Sequence, residues 1–367
     1  MNSSIFNLFR SYFYRRSSLF LSFLLSLPAF LSSCHHYSPP DSSSILSTEA
    51  KKSLFPFHYA EPHMGMIYRL IIYHESQELA DNAASALFNR IDELNSVMSD
   101  YTDESELSHF MNSPAGTPVP LSDDLFEVLS LAQKLAKDSN GAFDATIGNL
   151  TQLWRKTRKT GILPTKEELL HAQSLSGWEH LTLDVKHQTG TLNCSGIRLD
   201  LGGIGKGFAA DKAIELLRQH GVENAFIAAS GDIRVIGAPP GEPGWKIQIE
   251  TFSQSPEEVG NYIIYLTDAA ISTSGDVNQF VEIEGKRYSH IIDIETGLGL
   301  TRRSGATVIH SQAAYCDALA TLACILEPEE AIQFLKKHDA KLRLIYIDSD
   351  NKKQILTTSN FPVALSD

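Results

Sequence analysis

The stretch LDLGGIGKGFAAD, residues 199–211, packs four glycines into six residues and adds a lysine between two aspartates. Two nucleotide-loop patterns fail on it. A Walker A loop, G-x-x-x-x-G-K-[ST], needs Gly at position 200 and Ser or Thr at 207, where the chain has Asp200 and Gly207. A Rossmann G-x-G-x-x-G begins with Gly203 and Gly205 but meets Phe208 in third place. The preceding IRLDL alternates like a strand, and a helix follows, with Ala210, Ile214 and Leu217 on one face and Gly221 as its stop. A glycine-rich strand-to-helix turn lets backbone N–H groups approach a phosphate, and Lys206 adds charge. A tight structural turn is the other reading. Asp200 suits a ribose or adenine donor, or a metal's hydration shell.

Outward from this stretch, the 367 residues suffice for one large domain or two ordinary ones, and 43% apolar content allows a sizeable core. A net charge of −13 argues against a nucleic-acid-binding body. Residues 1–33 read as a signal: Arg10, Arg15 and Arg16, a short apolar run LFLSFLLSLPAFL, then LSSC ending at Cys34. This resembles a bacterial lipoprotein signal with Cys34 as the acylated first residue. An ordinary secretory signal or an anchor helix are the alternatives, the run being short for a span. Residues 34–55 read as a Ser/Pro-rich tether and 56–367 as one catalytic or binding unit. Without Cys34 three cysteines remain, an odd number with no complete disulfide framework. Cys316 and Cys324, about 12 Å apart along a helix, read as small core residues.

Helical periodicity predicts helices over 77–99, with Leu79, Ala83, Leu87, Ile91 and Leu94 inward, and from Ser122 to about Gly141. Thr165 and Glu168 form a capping box for a third, and 312–326 and 329–338 read as two more. NAFIAAS, WKIQIET, YIIYLT, QFVEIEG, YSHIIDI and LRLIYID read as strands in the second half, and STSGD (272–276) as a polar turn. Helices early and strands late indicate an α+β fold rather than a βαβ repeat.

Further segments carry possible chemistry. In CDALATLAC, Asp317 sits among small apolar residues, and a lone buried carboxylate is costly unless paired or metal-bound. Thr321 lies one turn along the same face; together they offer hard oxygen ligands suited to Mg2+. A carboxylate bonded to a nearby turn is the alternative. His290, in RYSHIID, has Ser274, Asp276 and Asp293 near it in sequence, but no G-x-S-x-G elbow accompanies a hydrolase triad. Tyr101, in a polar loop, could stack on a flat ring. Phe143 and Asp144 sit at a helix exit where amides and a carboxylate could meet a heterocycle.

Singly these are weak. MGM, MSDYTDESELSHFMNS, GAFDATIGNLTQLWR, LDLGGIGKGFAAD, ASGDIRVIG, TSGDVNQF, RYSHIIDIETG and DALAT, in this order, resemble the ApbE family of FAD:protein FMN transferases over about residues 64–326. The resemblance implies an α+β fold of helices and antiparallel-rich sheets, the ApbE-like (T-fold-like) architecture. It implies Mg-dependent transfer of FMN from FAD to a Thr or Ser hydroxyl of an acceptor protein, with AMP released. It further implies Asp317, Thr321 and the Gly203 main-chain oxygen as metal ligands. Met64, Tyr101, Ala142, Phe143, Asp144, Asp200, Lys206 and Ile292 would contact FAD, and His290 would stand beside the reacting centre as candidate base, with Asp276 or a metal-bound water as alternatives. The implied partners are subunits of Na+-translocating NADH:quinone reductase or Rnf-type complexes, and the implied location is the periplasmic face of the bacterial inner membrane, by a lipid anchor. An FAD pyrophosphatase and a non-catalytic FAD carrier are the alternative functions. The chain departs from the family pattern at Met66 (usually Thr), Asn149 (usually Pro) and Ser230 (usually Gly); Met66 and Asn149 bear on the shape of the flavin site rather than on the reaction type.

Overall fold

The computed structural model describes residues 53–249, 262–276 and 279–365. The expectations about the leader, Cys34 and most of the tether lie outside them. The chain runs β1 (Phe55–His63), β2 (Met66–His74), α1 (Gln77–Met98), α2 (Glu106–Met111), β3 (Val119–Pro120), α3 (Asp123–Asp138), α4 (Gly148–Thr160) and α5 (Lys166–Ser174). It continues with β4 (Leu181–Asp184), β5 (Thr189–Leu192), α6 (Gly205–Gln219), β6 (Asn224–Ala229), β7 (Asp232–Ile236), β8 (Trp245–Ile249), β9 (Tyr262–Leu266) and β10 (Ala270–Gly275). Last come β11 (Phe280–Ile283), β12 (Lys286–Ser289), β13 (Ile292–Asp293), β14 (Leu298–Gly299), β15 (Ser304–His310), α7 (Ala313–Ile325), α8 (Pro328–Lys337), β16 (Lys341–Ile347) and β17 (Lys353–Thr357). The fold is α+β, and β1 already begins at Phe55, inside the expected tether.

One antiparallel sheet of eight strands, ordered β1-β2-β6-β7-β10-β15-β16-β17, organises the fold. Period-two alternation lets it bury both faces. One face sends Tyr68, Leu70, Ala270, Ala306 and Val308 into the main core with α1, α6 and α7. The other sends Val235, Ile271 and Ile309 against Trp245, Ile247 and Ile264 of the β8–β9 hairpin. A separate cluster of Leu150, Trp154, Tyr288 and Ile292 ties α4 to the β11–β14 hairpins, with Trp154 Nε1 donating to Ser289 O at 2.9 Å.

The expected caps at Ser122 and Thr165 are present, and Ser76 and Ser105 add two more. Ser76, Ser105, Ser122 and Thr165 each accept a first-turn amide, and Thr165 with Glu168 completes the capping box. Other expectations are corrected. STSGD is not a turn: residues 270–275 form β10, whose hydroxyls meet partners on neighbouring elements, Ser272 bonding Asp232 of β7 and Ser274 bonding Thr321 of α7 at 3.2 Å. YSHIIDI is not one strand but the end of β12 and the two-residue β13. IRLDL keeps its buried–exposed alternation but joins no ladder, because its amides go to Asn149 Oδ1, Met111 Sδ and Ala145 O. Leu79 is 53% exposed, so the buried face of α1 starts at Ala80.

One glycine of the stretch, Gly207, is required by packing. α6 crosses α7 so closely that a Cβ on Gly207 would stand 2.1 Å from Ala313 O and 2.8 Å from Ala314 Cα, both backbone. No rotamer relieves a backbone overlap. Gly207→Ala is therefore expected to cost about 3 kcal/mol, the upper part of the usual overpacking range, read by chemical denaturation; a loss under 0.5 kcal/mol would mean that the crossing is not tight.

Candidate active site

Asp211, on α6, accepts hydrogen bonds from Ala313 N and Ala314 N at 2.9 Å each, and pairs with Arg234 of β7 at 3.2 Å. α7 has no side-chain cap of its own; a residue of another helix satisfies its orphan donors instead. That contact sets the register of α7 against α6. One turn further along α7, Asp317 meets the start of α6: Gly207 N donates to its Oδ2 at 3.2 Å. Lys206 Nζ lies 3.1 and 3.0 Å from its two oxygens. Asp232, held at the end of β7, is 3.4 Å from the same ammonium, and Gly202 O accepts from it at 3.1 Å.

Of these residues Gly202, Lys206 and Asp317 line a cavity of about 300 Å³. Tyr101, Ala142, Phe143, Asp144, Asp200, Gly203, Lys206, His290, Ile292, Asp317 and Thr321 all line it. So residues separated by more than two hundred positions converge, and of the expected metal ligands, FAD contacts and His290 only Met64 is missing from the lining. Met64 occupies the β1–β2 turn with φ +48°, and its sulfur accepts from Tyr68 Oη at 3.2 Å. A second cavity, of about 920 Å³, shares Ala142, Asp144, Ile294 and Ile325 with the first.

The electrostatics are tightly compensated. Burial and the neighbouring Asp232 push the Asp317 carboxyl up, to about 6, against the pull of Lys206. Burial alone would lower Lys206, but Asp317 and Asp232 outweigh it and hold the ammonium charged. On the opposite wall Arg155 of α4 reaches Asp100 at 2.5 Å and Asp200 at 3.4 Å, and its guanidinium lies 4.3 Å from the ring centre of Tyr101. Tyr101 is 79% exposed, which leaves its ring available to a flat ligand. Asp144 is buried and accepts from Thr146 N and Oγ1 at 2.7 and 2.8 Å. Burial, then the charges of Arg158 and Lys206, lower His290 to about 4. Its Nδ1 faces Gln279 O at 3.3 Å. A carbonyl can only accept, so that nitrogen carries the hydrogen and Nε2 keeps its lone pair.

The donor set fits Mg2+. Asp317 and Thr321 stand one turn apart, and a Cβ on Gly203 would be 3.8 Å from Thr321 Oγ1, so carboxylate, hydroxyl and backbone share one wall. These are hard oxygen donors, and the Lys206 ammonium, surrounded by carboxylate and carbonyl oxygens, already marks the place as one for a cation. No group of three or more His, Cys, Asp or Glu side chains that could hold a metal occurs among the described residues, so a metal here depends on one carboxylate.

Other readings change. The glycine loop is a poorer amide cradle than its composition suggests, because Gly202 N is taken by Asp200, Gly205 N by Leu201 O and Gly207 N by Asp317. Asp276 is no candidate base: it is buried beneath Arg287, at 2.9 Å, and does not line the cavity. Ser274 bonds Thr321 and Asp293 bonds Thr296, so neither forms a triad with His290. Met66 and Asn149 also stay off the cavity wall; Asn149 braces the loop before α6, accepting from Arg198 N at 2.9 Å and donating to Gly196 O at 3.2 Å. Sequence reasoning missed Asp232, Asp211, Arg155 and Arg158. Asp232, Asp211 and Arg155 stood inside quoted motifs, the two acids flanking glycine turns, whereas Arg158 lies beyond them on a helix whose facing carried no signal.

Comparison with known proteins agrees with this arrangement. The sequence model of the ApbE family matches residues 64–346. A FAD:protein FMN transferase of Vibrio cholerae is 30% identical over 325 residues, 87% of this chain and 96% of the relative. One of Haemophilus influenzae is 32% identical over 265 residues, 71% and 76% of the two chains. The solved structure of the flavin transferase ApbE from Vibrio cholerae superposes with a TM-score of 0.76 at 28% identity, covering 84% of this chain and 98% of that one. The match spans the β1–β2 turn, both walls of the cavity and the closing sheet strands, and the chain belongs to the ApbE family.

Proposed function

We infer that this chain is a FAD:protein FMN transferase, moving the FMN half of FAD onto an acceptor protein. The observation that carries the reading is the convergence of the glycine loop, the α3 exit, the His290 segment and α7 on one cavity, in a chain 30% identical to such a transferase over nearly that relative's whole length. The product is a phosphoester on a Thr or Ser hydroxyl. The hydroxyl oxygen bonds to the flavin-side phosphorus, the bond from that phosphorus to the bridging oxygen breaks, and AMP leaves with that oxygen. The hydroxyl proton passes to Nε2 of His290. Asp317, Thr321 and the Gly203 main-chain oxygen would hold Mg2+, which when bound supplies charge neutralisation at phosphate oxygens. Phe143, against Gly203, and Tyr101, on Arg155, offer aromatic surface to the rings of FAD.

Three functions share this site, and one assay separates them. With FAD, Mg2+ and an acceptor bearing the target Thr, flavin fluorescence on the denatured acceptor together with AMP is the expected result. AMP without label would indicate a pyrophosphatase, and neither product a carrier. Several kcal/mol of charge stabilisation depend on Asp317, so Asp317→Ala should slow labelling about 100-fold or more; labelling at the wild-type rate would remove its role. As acceptors we infer Na+-translocating NADH:quinone reductase or Rnf-type subunits, to be sought as fluorescent bands in native membranes.

The base must be neutral, and an imidazole is neutral above its pKa. With His290 lowered to about 4, its contribution stays level from neutral pH down to about 5 and is lost as pH falls through about 4. His290→Asn should lower the rate at pH 7 about 100-fold and erase that acid limb; a variant that keeps the limb would assign the proton elsewhere.

The basic start, short apolar run and Cys34 support a lipid anchor at the periplasmic face of the inner membrane. No helix among the described residues is long and apolar enough to cross a membrane. Mass spectrometry of the mature protein should find acylated Cys34 as the first residue; an unmodified N-terminus elsewhere would contradict the anchor.

A further inference from the structure

We propose that Arg158, on the last turn of α4, binds the diphosphate of the dinucleotide substrate and then the phosphate of the departing nucleotide. The assignment rests on the transferase reading and comes from accounting for charge in the cavity. Three cations line it: Lys206, Arg155 and Arg158. Lys206 is committed to Asp317 and Asp232, and Arg155 to Asp100 and Asp200. Each of these cations is therefore outnumbered by carboxylates before any anion arrives. Arg158 alone of the three has no carboxylate within 4 Å among the described residues, and it is exposed. Its charge is nevertheless felt at Tyr101 and His290, which line the same cavity.

The substrate brings two negative charges to a place where the glycine loop has already spent its amides at Gly202, Gly205 and Gly207. A free guanidinium offers paired N–H donors that match phosphate oxygens. The competing explanation is that Arg158 merely favours the negative end of the α4 dipole. Lys159 is the control for that: it sits on the same helix turn, is also exposed, and does not line the cavity.

The experiment measures binding of FAD, AMP and riboflavin to the wild-type protein and to the Arg158→Gln, Arg158→Lys and Lys159→Gln variants, with thermal denaturation in parallel. Arg158→Gln should weaken FAD and AMP about tenfold, the factor given by 1.4 kcal/mol, from the lost charge-assisted hydrogen bonding. Riboflavin, which has no phosphate, should bind as before, and Arg158→Lys should recover part of the loss. Lys159→Gln should change none of the three. Equal weakening of FAD and riboflavin would overturn the assignment. So would a loss matched by Lys159→Gln, or unchanged FAD binding with a raised KM for the acceptor. A wild-type protein that binds FAD but labels no acceptor would sink the transferase reading instead, leaving the binding comparison to decide Arg158 separately.

Discussion

The crossing of α6 over α7 is the constraint on which the rest depends. It exists because position 207 has no side chain, so the backbone of one helix rests on the backbone of the other. At that distance Asp211 can reach across and satisfy the first amides of α7, and Gly207 N can reach Asp317. One geometric fact thus sets the depth of α7, the place of its buried carboxylate and the position of Lys206. The sheet contributes the third side: β7 and β10 pair so that Ser272 stands opposite Asp232, and Ser272 holds that carboxylate towards Lys206.

Electrostatically the site is prepared for visiting cations and anions together. Buried carboxylates are costly alone, and here Asp317 and Asp232 share one ammonium, while Asp100 and Asp200 share one guanidinium. Such clusters compensate their own charge within the protein. The low pKa of His290 follows from the same surroundings: a half-buried imidazole facing cations stays neutral, which is the form that accepts a proton.

Much of this was legible before the structure. Asp317 and Thr321 stood out because a carboxylate interrupts an apolar helix, and the Thr165–Glu168 capping box and the start of α6 followed local rules. What escaped was non-local. The glycines of 202–207 suggested a phosphate cradle, but at Gly207 the demand comes from α7, more than a hundred residues away. IRLDL has the right alternation for a strand, yet a ladder needs a neighbouring strand and none lies beside it. STSGD looked like a turn because its hydroxyls imply solvent, whereas their partners, Asp232 and Thr321, arrive from other elements. Ser230 fills a tight β6–β7 turn with φ +58°, a position that glycine would occupy with less strain.

The most direct measurement is a crystal structure of the protein with FAD and Mg2+. The account predicts the diphosphate above the start of α6, beside Arg158, with the ion on Asp317 and Thr321. A dinucleotide lying in the larger cavity, its diphosphate near Glu179 and Glu327 and far from Asp317, would contradict it.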